Sequence, residues 1–112
     1  MKLSAIKSGT AIFLALSLAL PAYLMAADQE IEALYKRQCA ACHAADGSGN
    51  TAAGKKTGAR DFAAPEVQKQ SDAELLKIIA EGKNKMPGYE KKLNADQMKR
   101  LVSNIRALSS TK

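Results

Sequence analysis

Five consecutive residues, Cys39-Ala40-Ala41-Cys42-His43, contain both thiols and the single imidazole of the 112-residue chain. Nothing else in the sequence restricts the possible folds as strongly. Thiols three positions apart cannot staple distant segments, so a disulfide scaffold is excluded. A structural zinc site wants four ligands, and this chain offers two Cys and one His. A thioredoxin-like redox pair belongs beside a βαβ pattern, and strand signals are absent. What remains is C-x-x-C-H as the attachment signature of c-type haem. Two thiols so spaced at the end of a helix reach two vinyl groups on neighbouring pyrrole rings. The next residue then lies under the iron, where His43 offers a ring nitrogen as proximal ligand.

The rest of the chain also calls for a bulky prosthetic group. Lys2 and Lys7 precede an apolar run over residues 11–20, which Pro21 ends before Leu24-Met25-Ala26-Ala27. This pattern predicts a signal peptide over residues 1–26 and one domain over residues 27–112. Cleavage after Ala26 or Ala27 leaves 86 or 85 residues. The alternative, an uncleaved anchor, needs roughly 20 apolar residues, and the run is shorter, so no stable membrane insertion is expected. The expected destination is the periplasm or a compartment like the thylakoid lumen. A domain of that size is hard to stabilise with its own apolar side chains. Beyond the leader only Tyr35, Phe62 and Tyr89 are aromatic, and there is no Trp.

Charge adds little. Without Lys2 and Lys7, 15 basic residues face 11 acidic ones, leaving the mature chain at about +4 before any cofactor. No polybasic arm or basic helix with interleaved aromatics is present, so nucleic-acid binding is not expected.

Periodicity predicts an all-α domain. Residues 28–38 read as a helix with Asp28, Glu30 and Glu32 in its first turn and Ile31, Leu34 and Tyr35 on one face. Residues 44–60 carry four glycines and many small residues, which predicts a long loop wrapped around something. Pro65 opens a short turn through Gln68. Residues 71–81 form a helix capped by Ser71 and Glu74 and ended by Gly82, where the glycine serves a turn rather than chemistry. Asn94 and Gln97 cap a last helix carrying Met98, Leu101, Val102, Ile105 and Leu108 at helical spacing.

With His used once, the sixth iron ligand is a sulfur or an amine: Met86, Met98 or a lysine. Met98 falls on the apolar face of the last helix, where a core role is the default. Met86 lies between two helices in Gly82-Lys83-Asn84-Lys85-Met86-Pro87-Gly88-Tyr89, with a stiffening proline directly after it. A thioether favours the ferrous state and raises the potential relative to a second histidine. Met86 is therefore the predicted ligand.

These residues resemble the class I cytochrome c family, especially its short bacterial and photosynthetic-type members. The resemblance spans the mature chain: Leu34-Tyr35 ahead of Cys39, the glycine-rich wrap, Met86-Pro87-Gly88-Tyr89, and Ile105-Arg106 in the final helix. It implies a cytochrome c fold, three to five helices around one covalently bound haem c, with the first and last helices crossing. That crossing usually pairs a glycine with an aromatic, and Ile31 and Asn104 occupy the aligned positions here.

Iron held by His43 and Met86 is six-coordinate, which favours outer-sphere electron transfer over catalysis. The expected function is a soluble one-electron shuttle, expected as a monomer, between periplasmic or membrane-bound redox proteins, not an enzyme. Lys83, Lys85, Lys91 and Lys92 flank the Met86 loop, with Lys55 and Lys56 in the wrap. They read either as a positive rim steering acidic partners or as an ordinary solvated surface. Arg60 is a candidate partner for a haem propionate. The alternative functions are a ligand sensor or weak peroxidase with labile Met86, and a haem-free thiol-disulfide oxidoreductase.

Overall fold

The computed structural model describes Lys2, Ser4 and residues 19–111. Most of the expected leader, residues 1–26, lies outside the described residues. Helices follow in the order α1 (Ala19–Gln38), α2 (Ala40–His43), α3 (Ala52–Thr57), α4 (Pro65–Gln68), α5 (Asp72–Glu81) and α6 (Ala95–Ser110). α2 and α4 are single turns of four residues, so the longer helices fall within the expected three to five. No strand occurs among the described residues; the one extended pairing is an isolated bridge between Lys83 and Met86.

Two elements differ from the sequence expectation. The first helix begins at Ala19 rather than residue 28. Pro21 is its third residue, where the missing N–H has no carbonyl partner to lose, and Leu24 to Ala27 are good helix formers. Tyr23, Leu24 and Met25 on this extension are 78%, 60% and 64% exposed, and burial starts only at Ile31. The wrap over residues 44–60 is not a continuous loop but contains α3. Thr51 caps that helix, accepting from the Gly54 N–H at 2.8 Å. Its hydroxyl faces the carbonyls of Ala41 (2.8 Å) and Cys42 (3.0 Å), which docks α3 on α2. Gly54 makes the approach possible, because a Cβ there would lie 2.3 Å from the Cys42 carbonyl oxygen.

The other boundaries follow from capping. The Glu74 N–H donates to Ser71 Oγ at 3.1 Å and the Ser71 N–H to Glu74 Oε2 at 2.7 Å, closing a capping box at the start of α5. Asn94 and Gln97 repeat it at the start of α6, at 2.8 and 3.0 Å. Ile31, Leu34 and Tyr35 of α1 and Met98, Leu101, Val102 and Ile105 of α6 form two buried stripes at helical spacing. Leu75 and Ile79 of α5 join them, with Phe62, Val67, Tyr89 and Leu93 from the connections. α6 thus packs against both α1 and α5. At the α1–α6 crossing Ile31 is buried and Asn104 half-buried, and both border a groove between the helices.

Candidate functional site

The turn of α2 gathers the sequence-predicted chemistry. Cys39 is its N-cap, Cys42 and His43 end it, and the His43 N–H donates to the Cys39 carbonyl at 2.9 Å. Both cysteines are half-buried free thiols. Burial pushes the Cys39 thiol up to about 11. It therefore stays protonated near neutral pH, the opposite of the lowered pKa that a disulfide-exchange thiol requires.

His43 is held in one tautomer. Its Nδ1 lies 3.2 Å from the Arg60 carbonyl oxygen. A carbonyl only accepts, so Nδ1 carries the proton and Nε2 keeps its lone pair. Burial lowers the His43 pKa, and the Arg60 hydrogen bond partly opposes that shift. The ring is thus a neutral imidazole, the form that binds metals. Phe62 stacks on it, with centroids 4.6 Å apart and planes at 24°. The edge-on contact of Tyr35 with Phe62 at 6.3 Å continues the cluster. The Tyr35 hydroxyl donates to the Ala44 carbonyl at 2.7 Å, and burial raises its pKa so that the donor proton is kept.

Opposite this turn lies the Met86 segment, fixed through its backbone. Lys83 and Met86 exchange hydrogen bonds of 3.1 and 2.9 Å across Asn84 and Lys85, with Asn84 at φ 52°. The N–H groups of Tyr89 and Glu90 then donate to the carbonyls of Ile79 (2.9 Å) and Ala80 (3.1 Å) on α5. Gly88 lies flat against the end of that helix; a Cβ there would be 2.6 Å from the Ala80 carbonyl oxygen. The Tyr89 hydroxyl reaches across the molecule and donates to the Gln38 carbonyl at 2.9 Å, one residue before Cys39.

Between the two segments is a cleft with Cys39, Cys42 and His43 on one side and Met86 and Pro87 on another. Val67, Leu75, Ile79, Leu101 and Ile105 line it with apolar surface. The cleft opens to solvent, and about 1210 Å³ of space free of protein atoms lies in it when that open mouth is included. With a lining that is mainly apolar, the cleft suits an apolar ring. No group of three or more His, Cys, Asp or Glu among the described residues is arranged to hold a bare metal ion. Free thiols at one edge, a neutral imidazole and an apolar cavity fit covalently attached haem; His43 and Met86 are the residues able to hold its iron.

All four sequence-predicted residues therefore line one cleft. Met98 does not: it is buried in the core at 9% exposure. Lys83 and Lys85 stand at the mouth, and Lys85 Nζ lies 3.4 Å from the Lys56 carbonyl at the end of α3. Lys91 and Lys92 are exposed farther along, with Lys92 Nζ 5.9 Å from the Tyr89 ring centroid. The Arg60 guanidinium pairs loosely with Glu66 at 3.8 Å, while its backbone serves His43. Sequence reasoning missed that backbone role and the stacking of Phe62; the scarcity of aromatics beyond the leader was the one available signal for Phe62.

The family described as cytochrome C oxidase, cbb3-type, subunit III matches residues 26–105. A solved structure of the KustC0563 c-type cytochrome is 37% identical, with a TM-score of 0.64, over 69% of this chain and 94% of that one. No curated protein matches the chain significantly.

Proposed function

Because this chain belongs to the family described as cytochrome C oxidase, cbb3-type, subunit III, with the fold and covalent haem c of a small c-type cytochrome, we propose that it is a soluble one-electron carrier between redox proteins. Haem c, when bound, supplies a one-electron iron couple. Cys39 and Cys42 would anchor the group through thioether bonds. His43 would offer Nε2 to its iron, with its other nitrogen tied to the Arg60 carbonyl. Met86 would offer its thioether as the second protein ligand.

One observation carries this reading: a neutral imidazole and a thioether line the same apolar cleft. With both residues on its iron the group would have no position for a substrate, so the chain's work would be to hold it in a dry apolar cleft for outer-sphere electron transfer. A low-dielectric surrounding favours the iron form of lower net charge and raises the potential. Export with cleavage after Ala26 or Ala27, and a periplasmic location, complete the proposal. No helix among the described residues is long and apolar enough to cross a membrane.

Carbon monoxide tests the closed coordination. The reduced protein at neutral pH should not bind it readily; ready binding would instead support a ligand sensor or weak peroxidase with labile Met86. The mass of the exported protein, read with its reduced-minus-oxidised spectrum, reports haem attachment and leader removal together. A colourless protein with titratable thiols would overturn the proposal.

A further inference from the structure

The hydrogen bonds of Arg106 are not explained by the cleft or its rim. From α6 its Nη1 donates to the Gln68 carbonyl (3.2 Å) and to Gln68 Oε1 (3.1 Å). Nη2 donates to the Gln70 carbonyl (2.6 Å) and Asp72 Oδ1 (3.0 Å), and Nε to the same carboxylate oxygen (3.1 Å). The Asp72 side chain is 78% exposed, so the ion pair itself adds little stability. The geometric consequence is more specific. With Oε1 engaged by the guanidinium, the Gln68 amide is oriented, and its Nε2 donates to the Phe62 carbonyl.

Phe62 is also held by its own N–H, which donates to the Gly47 carbonyl at 2.9 Å. Its ring stacks on His43, and two residues earlier the Arg60 carbonyl accepts the His43 Nδ1 proton. Both contacts that orient the imidazole thus come from the strip of residues 60–62, and Gln68 ties that strip to α6. We propose that Gln68, oriented by Arg106, is a positioning residue for His43. It holds the strip at the distance that keeps the Nδ1–H···O bond and the ring stack in place. The inference rests on the reading of His43 as the proximal ligand. Hydrogen bonding at Nδ1 makes the imidazole a stronger donor and fixes its plane, so loosening the strip should favour the reduced iron.

The test uses the haem-loaded full chain carrying Gln68→Met, which keeps charge and approximate volume but loses both amide bonds. Two quantities are read: exchange of the His43 Nδ1 proton with solvent in the reduced protein, and the reduction potential. The expected result is faster exchange and a shift of about threefold to tenfold toward the reduced form, where tenfold corresponds to 59 mV for one electron. Leu108→Ala is the control, since Leu108 packs against the core outside the cleft; it should lower the melting temperature and move neither quantity. A parent-like exchange rate and potential in Gln68→Met would overturn the proposal, whatever the melting temperature. If Gln68→Met does not accumulate, Gln68→Asn, shorter by one methylene, is read in the same way. A parent protein lacking the haem spectrum would instead overturn the functional reading.

Discussion

Met86 owes its place to backbone bonds made by its neighbours. The reciprocal pair with Lys83 and the anchoring of Tyr89 and Glu90 on α5 set the loop before the side chain is considered. Met86→Ala should therefore leave the loop standing while removing the thioether. The expected outcome is a reduction potential lowered by at least about 59 mV, a tenfold change in a one-electron equilibrium, and ready uptake of exogenous ligands. An unchanged ferric spectrum would remove Met86 from the ligand set. Gly88→Ala acts the other way, keeping the sulfur and moving its support. A methyl group 2.6 Å from the Ala80 carbonyl oxygen must push the loop off α5. A loss of about 1–3 kcal/mol is expected in chemical denaturation, with weakened methionine ligation visible in the absorption spectrum.

Among the elements, α5 and α6 were legible because their start signals are local. Ser71 with Glu74, and Asn94 with Gln97, need only their own turn to form. The Glu74 carboxylate is held below its usual range by hydrogen bonds from the Ser71 N–H and hydroxyl. Its contribution is present above the ordinary glutamate pKa and lost as pH falls through the lowered one. Glu74→Gln should accordingly flatten that part of the acid limb in a pH series of melting temperatures; an unaltered acid limb would rule the contribution out. α3 was missed because its glycine argues against a helix, and only the contact with Cys42 explains why glycine is there. That Cys39, Cys42 and His43 belong together was legible for the same local reason as the caps, since their spacing is short, whereas Met86 joins them in the cleft from a separate loop. Gln68 and Arg106 were not, because partners 38 residues apart meet only through tertiary packing.

For the whole molecule, the lysines flanking the Met86 loop divide into two groups by position. Lys83 and Lys85 border the mouth of the cleft, whereas Lys91 and Lys92 lie beyond it. If the rim steers an acidic partner, Lys83→Gln with Lys85→Gln should slow electron transfer about tenfold at low salt. The effect should fade as ionic strength rises, and the Lys91→Gln, Lys92→Gln pair should matter less. Equal rates at every salt concentration would leave the lysines as plain solvated surface. The Tyr89 hydroxyl bond to Gln38 joins residues 51 apart and ties the far wall of the cleft to the chain immediately ahead of the first cysteine. The thiols face the space that this tie helps to enclose. Loss of that one bond would free the wall that carries Met86 from the segment that carries the thiols.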